Sequence, residues 1–283
     1  MKHRPRRVGD IEVVTLCDVV VTVGDADESF QGATDASWDE TRERYPDVFD
    51  GDAWRLHVHA FVLRTDGRTI LVDTGVGPES APAFAWTETR GALDRELDEA
   101  GVAPTDVDTV VITHVHDDHL GWNVAEGTAD PLFANAQYLV HRADWEWMRD
   151  TDDEDNREIF ESVLAPLERT GLIDLTDGPV ELTRELLVQH APGHTPGHQV
   201  IWIDSRDERA AIPADFANNP VMLIQPGVNG DTDNDPETAA ATRRWLIERI
   251  DREGRLVFST HFPEPVGRLA PDGARHLWEP EGA

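Results

Sequence analysis

The feature that most narrows the fold of this chain is a short apolar run, Val107 to Thr113, that passes directly into His114-Val-His116-Asp-Asp118-His119. Such a run suits a strand buried on both faces, as at the centre of a layered α/β protein. Three histidines and an aspartate then fall within six residues, at 114, 116, 118 and 119. Exposed loop histidines add little to stability, and burying several together without a partner is costly. Imidazole and carboxylate are ligands that zinc and iron favour, so the cluster points to a metal. His114 and His116 are two apart, as on an extended segment, while Asp118 and His119 leave a turn in a second direction. One short loop could therefore serve two adjacent metals.

The rest of the chain reads as alternating strands and helices. Ile11 to Val23 is Val/Ile-rich and predicts one or two strands. Val58–Arg64 and Thr69–Val72 form a hairpin around the favoured turn pair Asp66-Gly67. A helix from Gly91 to Ala100 stops at Gly101. Gln137–Val140, His198–Ile203, Ala210–Pro213 and Arg255–Thr260 are further strands, and Arg142–Arg149 and Asn156–Arg169 are helices. Asp235-Pro236 opens a last helix that reaches about Ile250, with Gly254 closing it. The acidic segment 24–55, with Trp38, Tyr45, Phe49 and Trp54, is long for a connection and is expected to be a flap-like insertion or a small satellite core. Two metals need more ligands, and strand ends offer His194, Asp215 and His261. Cys17, the single cysteine, excludes an intrachain disulfide and is expected to be a small buried hydrophobe without an activating neighbour.

These motifs, in this order, resemble the metallo-β-lactamase superfamily. His114-Val-His116-Asp-Asp118-His119 looks like its HxHxDH signature, and Leu71-Val-Asp73-Thr-Gly75, Pro192-Gly-His194-Thr-Pro-Gly-His198, Asp215 after a strand and the late His261 follow. The resemblance covers about residues 11–270 and implies a four-layered αββα sandwich, with the chain 1–283 as one domain. It further implies that His114, His116 and His194 hold one metal, that Asp118, His119 and His261 hold the other, and that Asp215 bridges them. Asp73 would orient ligands from behind. His198 is expected to be structural. Where the family has Gly before the bridging aspartate this chain has Ala214, expected to be a small change.

A metal pair of this kind implies hydrolysis by a bridging hydroxide, with Asp118 orienting the nucleophile and passing a proton to the leaving group. The ions would be divalent, zinc first, with manganese and iron also suited. The surrounding text, Thr113 to Asn123, Asn135 to Trp145 and Thr260 to Pro263, looks most like the lactonase and methyl parathion hydrolase-like branch, whose substrates are small lactones, esters or phosphotriesters. Quorum-quenching lactonases there carry tyrosine three residues after the bridging aspartate; Asn218 stands at that place, which counts against acyl-homoserine lactones although its amide could donate to a carbonyl. The alternatives are a glyoxalase II-like thioesterase, for which no basic cluster is evident, and a mononuclear iron dioxygenase resembling persulfide dioxygenases, which would need fewer of these ligands.

Charge restricts the partners. There are 56 acidic residues against 25 basic, a net −31, and Lys2 is the only lysine. Such a surface repels phosphate backbones, so nucleic acid is not an expected partner. No stretch approaches the ~20 apolar residues of a membrane span. The basic opening Met1 to Arg7 lacks the apolar segment of a secretory signal, because Asp10 and Glu12 interrupt it. A cytoplasmic protein is expected, and a homodimer is compatible with the sequence. The acidity also suggests adaptation to high salt, where self-repulsion is screened. The melting temperature should then rise with ionic strength, with unfolding at low salt; a salt-independent melting temperature would remove the idea.

Overall fold

The computed structural model describes residues 5–282, to which all structural statements refer. One sheet runs Arg6–Val8, Ile11–Asp25, Ala53–Thr65, Arg68–Val72, Thr109–Val111, Gln137–His141, Ile173–Thr176, with Phe49–Asp50 added beside Ala53–Thr65. The other runs Val180–Thr183, Leu186–His190, Gln199–Ser205, Glu208–Ile212, Leu256–Phe258, Val266–Asp272, Arg275–Pro280.

Side-chain alternation along the strands builds the layers. Ile70 and Val72 join Phe61, Val111, Ile201, Ile212 and Phe258 in a core between the sheets. Leu71, between them in sequence, faces the other way and packs with Val110, Leu97, Trp145 and Leu164 against the outer helices. The second sheet likewise turns Trp202, Ala211 and Val257 outward onto Leu246, Ile247 and Ile250 of the helix Pro236–Glu253. Helix, sheet, sheet and helix are thus stacked as an αββα sandwich.

Parallel pairing decides where the loops emerge. Arg68–Val72, Thr109–Val111, Gln137–His141 and Ile173–Thr176 are mutually parallel, as are Glu208–Ile212 and Leu256–Phe258. Parallel strands end on the same side, so the segments after residues 72 and 111 share a rim of one sheet and those after 212 and 258 a rim of the other; the approach of His119 to Asp215 at 3.3 Å brings the two together.

Several expectations are refined. Ile11–Asp25 is one strand, with a bulge at Asp18. The helix expected at 156–169 runs from Glu154 to Thr170 and widens to a π turn at Phe160–Leu164. Pro166 accounts for the widening, because its ring lacks an N–H and crowds the carbonyl four residues back. The hairpins Val180–His190 and Val266–Pro280, and the strand Ile173–Thr176, carry no strong apolar pattern and escape the sequence reading. Within 24–55, Phe30, Trp38, Phe49 and Trp54 stack edge to face at 4.9–6.1 Å and join the outer core. They therefore serve as packing, while Asp25, Glu28 and Trp54 also face a cleft. Residues 1–4 of the basic N-terminal stretch lie outside the described residues, whereas Arg6–Val8 pairs with Ile11–Asp25. Among the described residues no helix is long and apolar enough to cross a membrane.

Gly75 shows how tightly the rim is built. Its φ is +65°, and an added Cβ would fall inside the Asp18 carboxylate. That carboxylate is buried and accepts from the backbone of Val76 and Leu93 at 2.7 Å and from Trp122 Nε1 at 3.1 Å. Gly75→Ala should destabilise the fold by a few kcal/mol, from left-handed strain and displacement of Asp18; urea unfolding would measure it, and an unchanged midpoint would contradict this packing.

Candidate metal centre

The centre assembles from strand ends. Asp73, at φ +59°, follows Arg68–Val72 and turns its carboxylate onto the neighbouring loop. Oδ1 accepts from Thr113 N, and Oδ2 from Thr113 Oγ1, each at 2.8 Å. Oδ2 also meets His119 Nδ1 at 2.9 Å. The 114–119 loop is locked to the 74–75 backbone as well, through Thr74 N to His119 O at 2.7 Å and Gly121 N to Gly75 O at 2.8 Å.

The second sheet supplies the opposite wall. His194 Nδ1 bonds Asp233 Oδ1 at 2.9 Å, and Asp233 Oδ2 takes Arg243 Nη2 at 3.2 Å, all three side chains being buried. Asp144, on the helix Arg142–Arg149, accepts from Thr195 Oγ1 at 2.8 Å and Gly197 N at 2.5 Å, which fixes the loop carrying His194. His198 is structural: Nδ1 donates to Ala191 O at 3.0 Å, and Nε2 accepts from Asp215 N at 3.1 Å. His261 Nδ1 donates to His57 O at 2.8 Å.

Asp215 stands in the middle. Its Oδ2 lies 3.4 Å from His194 Nε2, 3.9 Å from His114 Nε2 and 2.9 Å from His261 Nε2, while Oδ1 lies 3.3 Å from His119 Nε2. His114 Nε2 and His116 Nδ1 converge at 3.1 Å. Asp118 comes within 3.5 Å of His119 Nε2 and 3.8 Å of His261 Nε2. Donor atoms group as His114–His116–His194, as His114–His119–Asp215 and as Asp118–His119–His261, each set lying within 4.8 Å. All seven expected ligands are therefore brought together, with Asp73 behind them.

The donor chemistry fits divalent ions. His119, His194 and His261 each use Nδ1 outward, which leaves the Nε2 lone pair facing the centre. His119 Nε2, His194 Nε2 and Asp215 Oδ1 are buried without a hydrogen-bond partner, a cost that a cation would relieve. Burial keeps His114 well below the ordinary histidine value and takes His116 down to about 3, the neutral form a metal requires; against burial, the surrounding carboxylates raise His119, His194 and His261, so these rings would give up a proton as an ion binds. Burial works against charge on Asp215 too, but His261, His119 and His114 outweigh it and hold its carboxyl well below the usual range.

Asn218 lies in the cleft, but its Nδ2 donates to Asp215 Oδ2 at 3.0 Å, so part of the amide expected for substrate braces the carboxylate. Ala214 sits at φ +48°, where a side chain costs about 1–2 kcal/mol; the departure from glycine is larger than a spare methyl implies. Cys17 is half-buried rather than buried, and His57 and His59 lie beside it. Neither tyrosine faces the cleft: Tyr45 bonds Trp278 and the buried Tyr138 bonds Asn123. Asp233, Asp144 and Arg243 are absent from the sequence reading. In sequence Asp233 is one of several acids in 230–235 and carries no mark of its role.

The cleft over the centre has a volume of about 500 Å³. Val23, Trp54, Leu56 and Trp86 form its apolar side, and Asp25, Glu28, Asp117 and Asp231 its acidic side; among the described residues no Lys or Arg lines it. Trp86 Nε1 donates to Asp117 Oδ2 at 2.8 Å, tying the apolar wall to the metal loop.

Comparison with known proteins agrees with this architecture. The family described as "Metallo-beta-lactamase superfamily" matches residues 53–261. An N-acyl homoserine lactonase of Bacillus sp is 30% identical over 228 residues, covering 75% of this chain and 83% of that protein. The hydrolase AbOPH, of the beta lactamase superfamily, superposes with a TM-score of 0.84 at 21% identity, covering 98% of this chain and 97% of its own. AidC, a dizinc quorum-quenching lactonase solved with its product N-hexnoyl-L-homoserine, gives a TM-score of 0.82 at 21% identity, with 99% and 98% covered. With its motifs meeting on one rim of the sandwich, the chain belongs to the metallo-β-lactamase superfamily, as a metallo-hydrolase of the lactonase-like branch.

Proposed function

We propose that the centre holds two divalent ions, zinc foremost, and that the protein hydrolyses neutral lactones or esters of small molecules. The observation that carries this is Asp215, placed among four imidazoles, with His114, His194 and His261 against Oδ2 and His119 against Oδ1. His114, His116 and His194 would hold one ion, Asp118, His119 and His261 the other, and Asp215 both. When bound, such a pair supplies a nucleophilic water oxygen at neutral pH and a Lewis acid for the scissile carbonyl.

The chain's own residues do the remainder. Asp118 and Asp215 are the two ligand carboxylates that reach the cleft, and Asp118 is the more exposed. Asp118 orients the attacking water and returns its proton to the leaving alkoxide. The second amide hydrogen of Asn218 is free to meet the carbonyl. Trp54, Trp86, Leu56 and Val23 take an apolar acyl or alkyl part. Lactonase relatives support a lactone, and the cleft's acidic side favours an uncharged one. The same acids, without an arginine or lysine beside them, weigh against glutathione thioesters, whose carboxylates they would repel.

Two outcomes test the reading. Asp215→Ala and His119→Ala should each release bound metal and lower kcat/KM by about 100-fold or more; Asp233→Asn should weaken metal affinity by about 10–100-fold with the ligands intact. Metal quantification after dialysis, joined to steady-state kinetics, measures both, and full activity in the first two variants would defeat the two-ion mechanism. In a screen of matched substrates, neutral lactones or aryl esters should exceed a glutathione thioester in kcat/KM by at least about tenfold, about 1.4 kcal/mol. The reverse order would restore the thioesterase alternative.

A further inference from the structure

A second group of metal-ligating side chains lies apart from the seven-residue centre. Cys17 and His59 are direct partners across the antiparallel strands Ile11–Asp25 and Ala53–Thr65, and His57 is two residues from His59, on the same face of the sheet. The bulge at Asp18 turns the first strand at this point. Thiol sulfur and one nitrogen from each imidazole all fall within 4.8 Å of one another. The rings of His57 and His59 stack at 5.9 Å, only 17° from parallel, so they present themselves side by side.

The hydrogen bonding suits coordination. His59 Nδ1 donates to Thr260 O at 2.9 Å, which leaves Nε2 as the lone-pair nitrogen. This outward anchoring to a carbonyl is how ligating histidines are usually oriented. His57 Nε2 is buried and makes no hydrogen bond, an unexplained cost on a strand where Val or Thr would pack without one.

We propose that Cys17, His57 and His59 form an accessory site for a zinc-class divalent ion. One thiolate and two imidazoles, with water in the fourth position, make a tetrahedral set for such an ion. On binding, the metal–sulfur bond forms as the thiol proton leaves to solvent, and no redox change occurs. The site adjoins the catalytic rim, because His57 O holds His261 Nδ1 and Thr260 O holds His59. An ion there clamps the strand that positions His261.

Because Cys17 is the only cysteine, any sulfur-to-metal charge transfer reports on this site alone. The full-length protein loaded with Co2+ should show a near-ultraviolet thiolate–cobalt band, which is lost in Cys17→Ser. The Zn2+-loaded protein should carry one more ion per chain than the Cys17→Ser variant, whatever the occupancy of the catalytic centre. The His57→Ala variant should also lose the band while keeping the thiol, and serves if the buried His59→Ala variant does not fold. Absence of the band with equal metal counts would overturn the site. A band that persists in His57→Ala would overturn it too, by showing capture by the thiolate without the histidines.

Discussion

The structure depends on how a buried carboxylate, Asp215, is kept ionised among four imidazoles that approach it within 4 Å. Burial holds His114 well below its ordinary value, whereas, against burial, Asp118, Asp215 and Asp73 raise His119, and Asp215 with Asp233 raises His194 to about 9. The buried carboxylates thus draw positive charge to the centre, as protons on these rings or as a divalent ion in their place. In a second layer of contacts, Asp73, Asp233 and the carbonyl of His57 each take the outer nitrogen of a histidine, so the Nε2 atoms of His119, His194 and His261 are aimed inward.

That second layer explains features far from the chemistry. Arg243 is among the largest fully buried side chains, and its guanidinium reaches Asp233 as well as the carbonyls of Phe216 and Val228. It thereby couples the helix Pro236–Glu253 to His194. Asp18, at the bulge of the first long strand, bonds the segment after Gly75 and holds Trp122 behind the metal loop. Asp73 and Ala214 both adopt left-handed backbone at the first turns after their strands. Strain of this kind persists only where surrounding contacts fix it, and here both residues turn side chains or their neighbours into the centre.

The candidate ligands were legible in the sequence because their signal is local. A dense His-Asp cluster after an apolar strand can be read directly, and the Pro-Gly-His and Thr-His motifs stand at similar strand ends. A layered α/β fold was legible through the run Val107–Thr113, whose burial on both faces requires layers on either side, whereas the αββα order came from the family resemblance of the motifs. What escaped is long-range. Asp233 meets His194 across 39 positions and Asp144 meets Thr195 across 51, with nothing in either local sequence to separate them from surface acids. Cys17, alone in sequence, gains His59 as a neighbour only through strand pairing. Of the strands in 180–190 and 266–280, the outer two, Val180–Thr183 and Arg275–Pro280, lie at the sheet edges, where charged residues and proline are tolerated and blur the alternation that marks a strand.

The acidity of the chain takes on a local meaning at the cleft. A net charge of −31 is distributed widely, but the rim above the centre carries Asp25, Glu28, Asp117 and Asp231 with no cation among the lining residues. Arg243, the buried arginine nearest in bonding to the ligands, faces inward on Asp233, so its charge supports His194 and does not reach a substrate. Positive potential in the cleft would then come from the bound ions alone. On the proposed function, hydrolysis would convert a neutral ester into a carboxylate, and that product would meet attraction at the ions but repulsion from the rim on the way out. The acidic wall thus disfavours anionic substrates at entry and opposes retention of the anionic product, an asymmetry that a basic cleft on the same fold would invert.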